Sequence, residues 1–143
     1  MLNAITIEVT FQLTHTIKQQ LGSHLDAQNL SITAMHVRVL KVLAKPNAST
    51  AIDIAGLFKR DKAQITRLVN QLIDRGFVQK EPNPDDKRSQ LLALTSAGRA
   101  LQERLRAVSD DIENQMMRGI KAEDLDTYTK VAQMMTRNLS NSE

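Results

Sequence analysis

The sequence predicts a mainly α-helical protein with one small β-hairpin, and three features indicate this fold class. Apolar residues recur at helical spacing from residue 65 to residue 73. Two short strand-like segments, 77–80 and 91–94, follow and are separated by a segment with two prolines. Further amphipathic segments lie on both sides, with no linker, repeat or low-complexity tract between them. With 143 residues, we expect one domain over residues 1–143.

The first predicted helix lies near the N-terminus, where apolar residues recur at every fourth position. They are Ile5, Val9, Leu13, Ile17, Leu21 and Leu25. Segment 5–11 also alternates as a strand does, and its β-branched residues keep a strand as the alternative. The longer periodicity favours the helix. A second helix is expected from Thr33 to Ala44, because Pro46 disfavours its continuation.

Two possible helix starts follow, eleven residues apart. Thr50 and Asp53 form a capping-box pattern, and Asp61 with Gln64 can form a second capping box. The spacing leaves residues 58–60 to turn between two short helices. This arrangement is that of a helix-turn-helix, although a plain helical hairpin in a bundle has a similar pattern.

The fourth predicted helix has two chemically different faces. Its apolar stripe consists of Ile65, Leu68, Val69, Leu72 and Ile73. The opposite face holds cations that suit phosphates, and amides and a hydroxyl that suit base edges: Lys62, Gln64, Thr66, Arg67, Asn70 and Gln71. Gly76 can end the helix. We therefore predict that this helix reads nucleic acid in a major groove.

The predicted hairpin carries charge at its tip. Residues 82–88 between the two strands include Pro82 and Pro84 and end in Lys87 and Arg88. Such a loop can reach phosphates or place a guanidinium in a minor groove. The alternative is an ordinary solvated turn.

The positive charge of the chain is concentrated in this section. The net charge is +3, and residues 59–88 hold eight cations against five carboxylates, while the rest of the chain sums to zero. Because the positive excess coincides with the predicted reading helix and hairpin, it favours a nucleic-acid partner over an evenly solvated surface.

Two amphipathic helices are predicted after the hairpin. Thr95 can cap the first, whose apolar positions are Leu101, Leu105, Val108, Ile112, Met116 and Ile120. The second carries Leu125, Tyr128, Val131, Ala132, Met135 and Leu139. These helices can fold back on their own chain or join two copies. A homodimer would hold two reading helices over two half-sites about one DNA turn apart.

Several function classes lack their usual signatures. The absence of cysteine excludes disulfides and a thiol-based sensor, and three histidines without a helical i, i+4 pair make a metal site unexpected. No phosphate loop or activated nucleophile is recognisable, so we expect neither an enzyme nor a cofactor. No apolar run spans a bilayer and no leader pattern begins the chain, so we expect a cytoplasmic protein without a membrane partner.

These residues resemble the winged helix-turn-helix regulators of the MarR (multiple antibiotic resistance regulator) family. Residues 86–89 and 94–98 are similar to the family's wing pattern, Asp-x-Arg followed by Leu-Thr-x-x-Gly. Thr50, Asp53, Ile54 and Ala55 fit its third helix, and residues 66–69 and 72–76 fit its recognition helix. Ile32, Thr33, His36 and Leu40 resemble its second helix, with His36 where glutamine is often found.

The resemblance implies an organisation and a set of DNA contacts. Residues 31–98 would form the winged helix-turn-helix, 99–117 a connecting helix, and 1–30 with 118–143 the dimerisation helices. The implied base contacts are Gln64, Thr66 and Arg67, with Lys62 and Asn70 at phosphates or the groove edge. Arg88 would enter the minor groove, Lys87 would contact a phosphate, and Asp86 would orient Arg88 through a charge-assisted hydrogen bond. Asn70 can equally face solvent.

The family also commonly releases DNA when a small phenolic or anionic molecule binds. His15, Met35, His36 and Arg38 are candidates for contacting such an effector, although each can equally be an ordinary surface or core residue. We therefore expect a dimeric, sequence-specific repressor of double-stranded DNA with a possible small-molecule effector. The alternative is a winged-helix dimer with a structural, protein-assembly or nonspecific DNA-binding role and no effector.

Overall fold

The structure is a computed structural model that describes residues 2–140, and it confirms a helical protein with one small hairpin. In chain order the elements are α1 (Leu2–Ala27), α2 (Ala34–Leu43), α3 (Ala51–Phe58), α4 (Lys62–Asp74), β1 (Val78–Pro82), β2 (Gln90–Leu94), α5 (Ser96–Met117) and α6 (Ala122–Ser140). None of the helices within residues 2–140 combines the length and the apolar character that a membrane span requires.

The N-terminal segment is a single helix, so the strand alternative for residues 5–11 is wrong. Its β-branched threonines are accommodated because their hydroxyls bond within the helix. The hydroxyls of Thr10, Thr14 and Thr16 each donate to the carbonyl four residues earlier, at 2.8–2.9 Å. The predicted second helix is also confirmed, and Thr33 is its N-cap.

Of the two predicted capping boxes, one forms. The Asp53 backbone N–H donates to the Thr50 hydroxyl, and the Thr50 backbone N–H donates to the Asp53 carboxylate at 2.9 Å. The predicted box at Asp61 is wrong: Asp61 is the N-cap residue of α4, but its exposed side chain makes no capping hydrogen bond. The first N–H groups of an exposed helix start can bond to water instead. Lys59, in the left-handed conformation, ends α3 two residues earlier.

The hairpin extends slightly further than predicted. Val78 pairs with Leu94, and Pro82, expected in the loop, pairs with Gln90 at the loop end of the ladder, where a proline is tolerated. A bridge outside the two strands joins Ser49 to Leu92, whose N–H donates to the Ser49 carbonyl at 2.8 Å. The hairpin is therefore tied to the start of α3.

The junction of α4, the hairpin and α5 is tightly built. Gly76 has φ 80°, a left-handed conformation that suits glycine, and follows the end of α4 as predicted. The Thr95 hydroxyl donates to the Gly76 carbonyl at 2.6 Å and accepts from the Gly98 N–H at 3.0 Å, which confirms Thr95 as a cap. At Gly98 an added Cβ would lie only 2.0 Å from the Phe77 carbonyl oxygen.

The chain divides into two compact units, residues up to 110 and residues from 111. The core of the first unit comprises residues from α1 to α5, with Leu40, Ile54, Ile65, Leu72, Leu101 and Leu105 among its most deeply buried side chains. The second unit contains the end of α5 and all of α6, and α6 has no buried residue. Ile120, predicted as a position of the long helix, instead lies in the turn after α5, because Gly119 is left-handed at φ 78°.

Candidate nucleic-acid interface

The core sets the rotation of α4 about its own axis. Ile65, Val69 and Leu72 are buried on one face, as their spacing predicted. Consequently Lys62, Arg67 and Asn70 are exposed on the other face, while Gln64 and Thr66 are half-buried at its margins. An α-helix held in this way presents a fixed row of polar side chains to a groove of DNA.

The loop of the wing, residues 83–89, is shaped by its own side chains. The Asn83 amide oxygen accepts from the Asp85 N–H at 3.0 Å, and its nitrogen donates to the Ser89 hydroxyl at 3.2 Å. Asp86 Oδ1 accepts from the backbone N–H of Arg88 at 2.9 Å. Asp86 thus orients Arg88 through the backbone. A carboxylate that accepts from a backbone N–H forms a charge-assisted hydrogen bond, which is the kind of bond that the resemblance implied between these two residues.

The recognition helix α4 and the wing, which consists of β1, β2 and the loop between them, meet at one cavity. The cavity of about 320 Å³ is lined by parts of α3, α4 and the hairpin. Five of the predicted DNA-contacting residues line it: Lys62, Thr66, Asn70, Asp86 and Arg88. Lys80 also lines it but was not predicted as a site residue. The register of the hairpin would have identified Lys80, because Lys80 pairs with Leu92, which lines the same cavity.

The other predicted contacts lie outside this cavity. Arg67 lines a shallow groove of about 620 Å³ along α4, together with Lys62, Thr66, Asn70 and Gln71. Gln64 and Lys87 line neither space, and Lys87 is exposed in the wing loop. The structure therefore groups most of the predicted set around α4 and leaves Lys87 at the wing tip.

The cations of this surface are not neutralised by carboxylates. Within residues 2–140, Lys62, Arg67, Lys87 and Arg88 form no ion pair. Exposed cations without an internal counter-charge can pair with phosphates and release the counterions of DNA. The same residue range holds no cluster of three or more His, Asp or Glu residues arranged for a metal ion.

The four candidate effector residues do not come together as a set. Arg38 Nη1 lies 3.7 Å from the Met35 sulfur, and its guanidinium carbon lies 4.3 Å from the centre of the Phe58 ring. Arg38 therefore stacks between α2 and α3, although it remains exposed. His36 is buried and bonds to α4, whereas His15 is exposed on α1 and bonds to none of the other three.

Comparison with known proteins agrees with this geometry. The sequence model described as the MarR family matches residues 32–90. The multiple antibiotic resistance protein MarR of Escherichia coli is 28% identical over 119 residues, covering 81% of this chain and 83% of that protein.

Solved structures share the fold. A MarR mutant from E. coli complexed with operator DNA superposes with a TM-score of 0.79 at 23% identity, covering 90% of this chain and 91% of that one. The S. aureus MepR–DNA complex gives a TM-score of 0.82 at 20% identity, covering 92% and 96%. The family match spans α2 to the end of the wing loop, which is the section where recognition helix and wing converge. The family model, the curated relatives and the solved structures therefore all relate this chain to the MarR family of winged-helix transcriptional regulators.

Proposed function

We propose that this DNA-binding regulator is a repressor that binds a pseudo-palindromic operator as a homodimer and is released by a small phenolic or anionic effector. The observation that carries the proposal is the convergence of α4 and the wing around Lys62, Thr66, Asn70 and Arg88. A helix for the major groove and an arginine for the adjacent minor groove form a two-part DNA contact.

Each side chain of this surface has an assigned role. Gln64, Thr66 and Arg67 read base edges, and Lys62 and Asn70 contact phosphates or the groove edge. Arg88 enters the minor groove from a loop whose shape Asp86 maintains, and Lys87 contacts a phosphate. The two relatives whose structures were solved with DNA, MarR with its operator and MepR, support this assignment by sharing the fold.

The homodimer is supported by apolar side chains that the chain leaves uncovered. On α1, Ile5, Ile7, Val9 and Phe11 are exposed, the last by 66%. On α6 the exposed set is Tyr128, Val131, Met134, Met135 and Leu139. Groups of exposed apolar side chains of this kind mark association surfaces. We propose that residues 1–30 and 118–143 are the dimerisation helices, so that a two-fold axis places two copies of residues 31–98 on successive half-sites.

For the effector we propose a site that includes Met35 and Arg38, with His15 and His36 as further candidates. Arg38 is exposed, and its guanidinium, which lies over the Phe58 ring, can pair with an anion through its N–H groups. Binding would change the spacing of the two recognition helices, so that both no longer fit successive grooves. Such coupling typically changes affinity about five- to 150-fold, and it acts equally in both directions.

The first test is fluorescence anisotropy of the purified protein with DNA from upstream of its own gene and with scrambled DNA, at low and physiological salt. We expect tight, salt-sensitive binding that still distinguishes the upstream DNA from scrambled DNA at physiological salt. A second measurement uses DNA that the protein selects from a random pool. If the protein binds this selected DNA no more tightly than scrambled DNA, sequence-specific regulation is contradicted. That outcome would favour the structural or nonspecific DNA-binding alternative.

A further inference from the structure

A buried histidine contacts the recognition helix from the neighbouring helix. His36 is only 6% exposed and is the third residue of α2. Its Nδ1 lies 2.9 Å from the backbone N of Thr33, and its Nε2 lies 2.7 Å from the side-chain oxygen of Gln71 on α4. One ring therefore bonds to the start of its own helix and to a side chain 35 residues away.

These two contacts determine where the imidazole carries its proton. The Thr33 backbone N–H donates to Nδ1, so Nδ1 accepts and has no hydrogen of its own. The Thr33 hydroxyl also lies 2.9 Å from Nδ1 and is compatible with this, because a hydroxyl can donate as well as accept. A neutral imidazole with an unprotonated Nδ1 carries its hydrogen on Nε2. The Nε2–H group therefore donates to Gln71, and the atom of the Gln71 amide that faces His36 must be the oxygen. This assignment follows from the backbone donor and does not depend on how the amide was oriented.

The hydrogen bonds from Thr33 to His36 and from His36 to Gln71 also set the direction of the Gln71 NH₂ group. With its oxygen towards the buried histidine, the amide presents its NH₂ group away from His36. Gln71 is exposed and lines the shallow groove along α4 with Lys62, Thr66, Arg67 and Asn70. In the part of the chain that is described, no protein acceptor takes these N–H groups. Two hydrogen-bond donors in a set direction are thus offered on the polar face of α4.

A second contact holds the backbone of this region. Arg75 Nη1 donates to the Ser31 carbonyl at 2.8 Å, which joins the end of α4 to the segment before α2. The helix therefore has an anchor that does not involve Gln71. His36 is needed for the direction of the Gln71 amide, while Arg75 contributes to the position of the helix.

We propose that Gln71 is a further DNA-contacting residue that acts as a hydrogen-bond donor, and that His36 is its positioning residue. The partner is an acceptor atom of the operator, either a base acceptor in the major groove, such as guanine O6 or N7, or a phosphate oxygen. This inference rests on the proposed function, since it assigns an additional contact to the same surface.

Two substitutions separate the two roles. Gln71→Met keeps the length of the side chain and its helix preference but removes the donors. His36→Asn keeps an acceptor at the position of Nδ1 for the Thr33 N–H but ends short of Gln71. We expect each variant to weaken operator binding about ten- to a hundredfold, because the proposed dimer loses one hydrogen bond at each of its two half-sites. Because His36 acts through Gln71, the double variant should bind as weakly as Gln71→Met alone.

Binding is measured by anisotropy after selection of preferred sequences from random duplex DNA by the wild-type protein and by each variant. A base contact predicts that Gln71→Met loses preference at one symmetry-related pair of positions. A phosphate contact predicts uniformly weaker binding with the same preferred sequence. Unfolding temperatures of all variants are recorded, and ¹⁵N NMR of the wild-type histidines should show His36 protonated at Nε2 alone.

Four results would overturn the inference. Unchanged affinity and preference in Gln71→Met would remove Gln71 from the interface. Additive losses in the double variant would show that His36 does not act through Gln71, and a proton on Nδ1 would contradict the donor assignment. A wild-type protein that selects no sequence would refute the proposed function and this inference together, whereas failure of Gln71→Met alone leaves the function intact.

Discussion

The contact between Gly98 and Phe77 predicts a large and specific loss of stability in Gly98→Ala. A Cβ at residue 98 would lie 2.0 Å from the Phe77 carbonyl oxygen, whereas ordinary contacts of this kind are longer than 3.0 Å. The start of α5 and residue 77 must therefore separate. The obstacle is backbone, so no side-chain rotation can relieve it.

The separation would break the bonds that close this junction. The Thr95 N–H donates to the same Phe77 carbonyl at 3.1 Å, and the Thr95 hydroxyl donates to the Gly76 carbonyl. Losing two such bonds costs about 1–3 kcal/mol. The forced shift adds about 1–3 kcal/mol, and the better helix preference of alanine returns about 0.5–1 kcal/mol. We expect a net loss of about 1–5 kcal/mol in the free energy of unfolding.

Gly56→Ala is the matched control, because Gly56 lies inside α3 with no atom within 4 Å of an added Cβ. It should stabilise the protein by about 0.5–1 kcal/mol. Urea unfolding followed by circular dichroism, at one protein concentration, measures both free energies. A Gly98→Ala protein as stable as the wild type would refute the argument that the hairpin and α5 meet through backbone at this position.

Three further predictions concern DNA and the dimer. Arg88→Ala should weaken operator binding at least tenfold and reduce the slope of log K against log salt by about two per dimer, with the dimer intact; Arg88→Lys should keep the slope but lose affinity. Val131→Asp should shift sedimentation towards the monomer, whereas Gln133→Asp, at an exposed polar position of α6, should not. Calorimetry with an effector from a screen of phenolic acids should give a lower affinity in saturating operator, and an equal affinity would contradict release by changed helix spacing.

Local rules of sequence predicted most elements but few of the contacts between them. The apolar stripe of α4, the capping box at Thr50 and the helix stop at Gly76 each depend on residues within one or two turns, and the structure contains all three. The box at Asp61 failed although its residue types were right, because the pattern does not determine whether an exposed side chain turns back to the backbone.

The candidate site was predictable where it lies on one element and less so where elements meet. The polar face of α4 follows from its period, so its members were identified. Lys80 was missed because its place at the cavity depends on the register of the hairpin. The bond between His36 and Gln71 spans 35 residues, and no spacing rule links a residue of α2 to one of α4.

The contacts within the first unit favour movement of the whole winged helix-turn-helix, residues 31–98, over bending of its recognition helix α4. The C-terminal end of α4 is connected to neighbouring elements: Arg75 bonds to Ser31, and Gln71 bonds to His36 of α2. The wing is tied in turn to the start of α3 through Ser49 and to α5 through Thr95. An effector that bent α4 would have to break several of these bonds at once. Changing the distance between the winged helix-turn-helix units of two copies breaks none of these bonds. The proposed release by altered helix spacing is therefore the less costly route.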